Sequence, residues 1–256
     1  AWDHEHNKLH HYNLGEEADP DNIEINLEWL RNSNLPMWMR YLIIMIFAGI
    51  WKIVYYAPNT LKMTANAERR RHGEPEVDTF LRLDAWSPFA ADGFRLWTRN
   101  FLPYITFRFV LLPMLFLPLG WEAGTNVLLA SLLAELFANL HSFLVIIPNH
   151  SGDDIYRFEQ PSNSRGEFYL RQIMGTVNYK TGPNHTDFLH GWLNYQVEHH
   201  LFPSLPLNHY QEMQPIVKQV CEKHNLPYRQ ENVFIRLRKT LDLMVGKTNL
   251  LVIKHA

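Results

Sequence analysis

Cysteine is almost absent from this chain: Cys221 is the single one in 256 residues. One thiol excludes an intrachain disulfide framework and a Cys-rich zinc or iron–sulfur site. Cys221 therefore reads as structural or incidental. An excess of positive charge is also missing. Lys and Arg total 24 against 26 Asp and Glu, a formal net charge of -2, which argues against a broad basic surface and against nucleic acid as a partner. There is no internal repeat and no low-complexity tract. The sequence opens on Ala-Trp-Asp, with no initiator Met and no signal peptide. A histidine motif begins within six residues of that start, so the chain is expected to be a piece of a longer protein.

Histidine and apolar residues are abundant instead, with 14 His and 46% hydrophobic residues. Two histidine clusters stand far apart, His6-Asn7-Lys8-Leu9-His10-His11 and Gln196-Val197-Glu198-His199-His200. On an α-helix His6 and His10 share a face, while His11 is turned from His10 by about 100°. Three such imidazoles do not converge on one ion. Two metals side by side, or one metal with a supporting imidazole, fit better. In the second cluster Gln196 and His200 are the pair four apart and His199 is the neighbour. Imidazole suits Fe(II) and Zn(II) alike; a dense His set without Cys, beside lipid, favours redox-active iron. His150 follows an apolar segment in Asn149-His150-Ser151-Gly152-Asp153-Asp154 and is a further candidate ligand. Asp153 and Asp154 are candidates to orient ligand imidazoles, with a solvated carboxylate pair as the alternative. His4 lies close to the first cluster, between Asp3 and Glu5.

Apolar segments separate the clusters. Residues 35–56 are apolar, but Arg40 and Lys52 leave a clean run of eleven residues, short of the roughly 20 needed to cross a bilayer. This segment is expected to be peripheral or re-entrant. Residues 101–147 are expected to form a transmembrane hairpin, with a tight turn at Gly120-Trp121-Glu122-Ala123-Gly124. The hairpin tip carries no Lys or Arg, whereas Arg69, Arg70, Arg71, Arg95 and Arg99 precede the hairpin or its core and Arg165 and Arg171 follow it. By the positive-inside tendency both flanks are cytosolic. The two clusters then share one face only if residues 35–56 do not cross. Within the hairpin, Glu135, Asn139 and Ser142 form a polar stripe that must face other helices or a tunnel. Arg108 needs a carboxylate or a route to the interface, and Glu135 is the acid inside the opposite helix. Residues 148–256 are expected to form a cytosolic cap containing a helix near 213–221. The expected fold class is all-α, an integral membrane helical protein with a cytosolic histidine-rich helical cap.

These blocks resemble the membrane-bound fatty acid desaturases of the front-end type. His6-Asn7-Lys8-Leu9-His10-His11 is similar to the second of that family's three histidine boxes. Gln196-Val197-Glu198-His199-His200 is similar to the third, in which the front-end branch has Gln where others have His. The runs Asn194 to Pro203 and Cys221 to Tyr228 strengthen the likeness, which extends over essentially all of residues 1–256. The resemblance implies a diiron centre with His6, His10, His11, His199 and His200 as ligands. It also implies His150 as the additional histidine and Gln196 at or near a ligand position. Further implications are dioxygen, electrons from cytochrome b5 or ferredoxin, and a long-chain fatty acyl substrate on CoA or a glycerolipid. The product would be a cis double bond on the carboxyl side. The family's first box, a separate His-x-x-x-His upstream of the second on an earlier membrane hairpin, is not supplied here, so this piece alone is expected to be inactive. The membrane would be the endoplasmic reticulum in a eukaryote, or the inner or thylakoid membrane in a bacterium. A related diiron lipid hydroxylase and a non-catalytic metal-binding membrane protein are the alternatives. Gly191-Trp192 stands where the family commonly has Gly-Gly.

Overall fold

The computed structural model describes residues 5–56, 58, 66, 69, 71–74 and 86–253. His4 and Arg70 lie outside them. The apolar segments wind into helices, which pair most backbone N–H and C=O groups within the segment, as a water-poor environment requires. Helix α1 spans Met37–Trp51 and continues as a π-helical turn at Lys52–Tyr56. Helix α2 spans Gly93–Leu119. Helix α3 spans Trp121–Ile146, and a 3₁₀ turn extends it to His150. Among the described residues these three helices are long and apolar enough to cross a membrane, which supports an integral-membrane location. The first, Met37–Tyr55, is 19 residues long, beyond the eleven-residue run between its two charges. Both charges are compensated. The Arg40 guanidinium donates to the carbonyls of Leu35 at 3.1 Å, Arg31 at 2.7 Å and Val245 at 2.9 Å, and Lys52 finds a carboxylate.

The described residues form two compact units, one within residues 46–141, the other of residues 5–45 with 142–253. In the first, α2 alternates α turns with π turns at Trp97–Phe101 and Thr106–Leu111. Each π turn lies beside a proline, at Pro103 or Pro113, whose missing N–H and bulky ring break the regular ladder. Glu135 is the polar centre of this unit. It accepts from Lys52 Nζ at 3.1 Å, from Asn139 Nδ2 at 3.0 Å and from the Tyr104 hydroxyl. Asn139 Oδ1 in turn accepts from the Lys52 backbone N–H at 2.9 Å. Glu135 and Asn139 of the expected stripe on α3 therefore face neighbouring helical segments, and among the described residues Lys52, not Arg108, is the cation on Glu135.

The second unit is mostly helical, with α4 Arg165–Met174, α5 Asn184–His190, α6 Gln196–Leu201, α7 Tyr210–Lys223 and α8 Val233–Met244. The expected all-α class needs one correction. Strands β1 Tyr156–Phe158 and β4 Leu251–Ile253 pair in parallel, as do β2 Asn178–Tyr179 and β3 Gln230–Glu231. Segments of two or three residues are too short to show the alternation that marks a strand in sequence. One apolar cluster joins Ile155, Val177, Leu243 and Leu250; another joins Ile173, Val197, Val217 and Cys221. The lone cysteine is thus core. Buried arginines tie loops to helices. Arg236 on α8 is fully buried and bonds Asp154 at 2.6 Å and the Ser151 carbonyl at a short distance. Gly152, at φ +150°, permits this approach, since a Cβ there would lie 2.4 Å from Arg236 Nη2.

Candidate metal centre

The first histidine cluster departs from the expected α-helical spacing. Glu5–His10 is a π-helical turn, closed by a bond from His11 N–H to His6 C=O at 3.1 Å. This winding bonds residues five apart. It brings His6 and His11 together and sends His10 to a different set, whereas α spacing pairs His6 with His10. Gly15, at φ +72°, then turns the chain, and its carbonyl accepts from Phe158 N–H at 2.8 Å.

Two sets of three histidines result, all within the second unit. His6, His11 and His199 form one, and His10, His150 and His200 the other; within each, one ligand atom per residue lies within 4.8 Å of the rest. In the first set the Nε2 atoms converge, with separations of 3.3 Å for His6–His199, 3.3 Å for His6–His11 and 3.2 Å for His11–His199. Nitrogens bound about 2.0–2.1 Å from one ion would stand roughly 2.9–3.4 Å apart at octahedral to tetrahedral angles. In the second set the ring centroids are 4.6 Å apart for His10–His150, 4.7 Å for His150–His200 and 5.1 Å for His10–His200. The sets adjoin, since the His11 and His200 rings stack at 4.2 Å. Asp21 also offers an oxygen close to His6 and His10.

Supporting groups fix which ring nitrogen is available. Asp19 accepts from His10 Nδ1 at 2.8 Å, which leaves Nε2 as that ring's ligating atom. Gln172 on α4 donates Nε2–H to the His11 carbonyl at 3.1 Å, so its Oε1, 2.8 Å from His200 Nδ1, must be an acceptor. His200 Nε2 is then the lone-pair nitrogen, and it is buried with no hydrogen-bond partner among the described residues. His199 Nδ1 lies 3.1 Å from the Tyr210 hydroxyl. A third contact holds α6 itself. Asn178 of β2 accepts from Val197 N–H at 2.8 Å and donates to Glu198 at 2.8 Å, and Tyr228 donates to the other Glu198 oxygen at 2.8 Å. Burial raises the Glu198 pKa.

Every sequence-predicted site residue, His6, His10, His11, His150, Gln196, His199 and His200, lies in or against these sets. Gln196 contacts His150 Nε2 at 2.8 Å. The expected role of Asp153 and Asp154 is corrected. Asp154 pairs with Arg236 and, at 3.0 Å, with Lys239, while Asp153 is exposed. Asp19, Gln172 and Tyr210 do the orienting instead. Sequence reasoning took Asp19-Pro20-Asp21 only as a turn, and nothing in the neighbourhood of Gln172 or Tyr210 marks them.

The imidazoles are poised in their neutral form. Burial, then the neighbouring histidines His10 and His199, lowers the His6 pKa to about 3. Burial, followed by His199, His6 and His10, takes His11 to about 2. His199 falls to about 4 from burial and His10, and His200 is lowered by burial and its four histidine neighbours. Neutral imidazole is the metal-binding form. The donor set, six convergent nitrogens without thiolate, fits two borderline divalent ions such as iron.

Comparison with known proteins agrees with this geometry. Residues 1–232 match the fatty acid desaturase family. The chain is 34% identical over 118 residues to the NADPH-dependent stearoyl-CoA 9-desaturase of Mycobacterium tuberculosis (strain ATCC 25618 / H37Rv), covering 45% of this chain and 27% of that protein. It is 26% identical over 240 residues to Delta(5) fatty acid desaturase A of Dictyostelium discoideum, covering 89% and 48%. It is 41% identical over 81 residues to Delta(8)-fatty-acid desaturase 2 of Arabidopsis thaliana, covering 32% and 17%. The chain spans less than half the length of these curated relatives. No solved structure matches. With a match that runs through both histidine clusters, the chain belongs to the fatty acid desaturase family.

Proposed function

We propose that the protein carrying this chain is a dioxygen-dependent diiron desaturase of long-chain fatty acyl groups, placing a cis double bond on the carboxyl side. The observation that carries this reading is the meeting of six histidines, drawn from positions 6–11, 150 and 199–200, in two adjoining sets of three. His6, His11 and His199 would hold one iron, and His10, His150 and His200 the other. Bound iron would supply, with dioxygen and two electrons, the oxidising power that an unactivated methylene demands and that no side chain provides. The chain's own residues hold and orient. Asp19 and Gln172 fix the His10 and His200 rings, Tyr210 braces His199, and burial keeps water from most of the set. The printed names of the relatives support an acyl substrate, on CoA or a glycerolipid. Gln196 at the head of the third box supports the front-end branch. Cytochrome b5 or ferredoxin is the proposed electron donor. Iron analysis with product profiling of the full-length protein tests this reading; a pure, active protein free of iron would refute it.

The topology belongs to the same proposal. Both clusters meet in one unit, yet α1, α2 and α3 all lie between them in sequence. An even number of crossings returns the chain to its starting face. We therefore assign α2 and α3 as the transmembrane hairpin of 101–147 and α1, within 35–56, as a re-entrant or interfacial helix. The histidine boxes and residues 148–256 then face the cytosol.

A further inference from the structure

The orientation of one amide bears on how the second histidine set works. Asn149 is fully buried beside His150, and Gln196 is 2% exposed. One terminal atom of the Asn149 side chain lies 2.9 Å from the Leu193 carbonyl oxygen. A carbonyl oxygen only accepts, so that atom is the NH₂ group. The same NH₂ lies 2.9 Å from one terminal atom of Gln196, which must therefore be Oε1. The other terminal atom of Gln196, 2.8 Å from His150 Nε2, is by elimination Nε2, a donor. Turning Asn149 over would set its oxygen against the Leu193 carbonyl, and turning Gln196 alone would set two NH₂ groups face to face. The hydrogen-bonding pattern locks both amides together.

We propose that Gln196 serves the metal centre as a hydrogen-bond donor and not as a ligand, with Asn149 as the positioning residue that sets its direction. An amide N–H is repelled by a cation and attracts an anion or water bound to that cation. When an ion takes the His150 lone pair that now accepts from Gln196, the amide N–H is freed for an exogenous ligand on the ion held by His10, His150 and His200. A histidine in its place would offer a lone pair to the ion itself. This inference rests on the diiron reading above, and the test separates the two. The full-length protein and its Gln196→Leu and Gln196→His variants are loaded with Co(II). Metal per chain, the visible ligand-field spectrum and azide affinity are then measured. Wild-type protein that takes up no metal would overturn the functional reading itself. If Gln196 is a donor, Gln196→Leu keeps the wild-type metal content and weakens azide binding about ten- to hundredfold, the effect of one hydrogen bond to a charged group. Metal content falling by one ion per chain in Gln196→Leu would overturn the proposal. Gln196→His guards against a misfolded Leu variant. A donor role predicts that the new imidazole adds a ligand, lowers the intensity of the visible bands and blocks azide. An unchanged spectrum and azide affinity would mean that one ligand has replaced another, and would also overturn it.

Discussion

Asp19 is the residue on which the second histidine set leans most directly. Its carboxylate accepts from His10 Nδ1 at 2.8 Å and also from the backbone N–H groups of Gly15 at 2.9 Å and Asp21 at 2.9 Å. Asp19→Asn keeps an acceptor for the turn but removes the charge that makes His10 a stronger base. Metal affinity should fall about ten- to hundredfold, read by competition against chelators of graded strength; an unchanged affinity would show that the carboxylate is only a turn residue. The histidines themselves predict a pH dependence. His6, His11 and His199 hold pKa values of about 3, about 2 and about 4 in the folded chain, against about 6.5 when unfolded. Below pH 6.5 the unfolded state takes up protons that the folded state refuses, so the metal-free protein should lose stability as pH falls from about 6.5 towards 4. Thermal unfolding in detergent between pH 7.5 and 4 measures it, and a flat profile across that window would contradict it. The ligand residues were legible in the sequence because imidazoles in tight clusters are conspicuous. Their orienting partners were not: Gln172 is 28 residues from His200, and Asp19 and Tyr210, 9 and 11 residues from His10 and His199, stand at no spacing that a regular helix pairs.

At the scale of elements, the polar centre of the apolar helices governs their association. Glu135 on α3 binds Lys52, Tyr104 and Asn139. Lys52→Met removes the cation and leaves a carboxylate among apolar helices, a loss of about 1–3 kcal/mol. Adding Glu135→Leu should recover part of that loss, because it removes the carboxylate that the first substitution left without its cation. Unfolding of the single and double variants in lipid nanodiscs gives the coupling energy; strictly additive losses would mean that the pair does not interact. The stripe Glu135–Asn139–Ser142 could be read from spacing, but its cation could not. Arg108 and Lys52 both interrupt apolar runs, and only the packing of α1 against α3 within the first unit selects Lys52. Trp192 is a different case. It sits at φ 60°, a region that costs a side-chain-bearing residue about 1–2 kcal/mol. Gly191-Trp192 stood out in the sequence as a departure from Gly-Gly, and the backbone there still has the form that glycine prefers.

At the scale of the whole molecule, the proposed path through the membrane makes an opposed pair of labelling results. In a Cys221→Ser background expressed in a bacterial inner membrane, Gly73→Cys should be protected from an impermeant maleimide that reaches only the periplasmic face and Gly120→Cys should react. Reversed labelling would mean that α1 crosses the bilayer. Helical content and the three apolar helices were readable from composition, because a segment in lipid must satisfy its own backbone. The two short parallel strand pairs were not, as they are held by register with distant segments, Tyr156 with Leu251 and Asn178 with Gln230. The π-helical turn at Glu5–His10 was also invisible, for its residues suit an α turn equally well. That wide turn has a corollary for how the cluster tolerates change in length. It contains a surplus residue that an α turn would not hold, and the surplus sets His11 beneath His6. Deleting Lys8 would remove that surplus and leave His6 and His11 four apart, the spacing that shares a face on an α turn, so this pair would persist in a shorter segment while His10 would shift. The winding of this segment, as much as the identity of its residues, therefore decides which imidazoles meet.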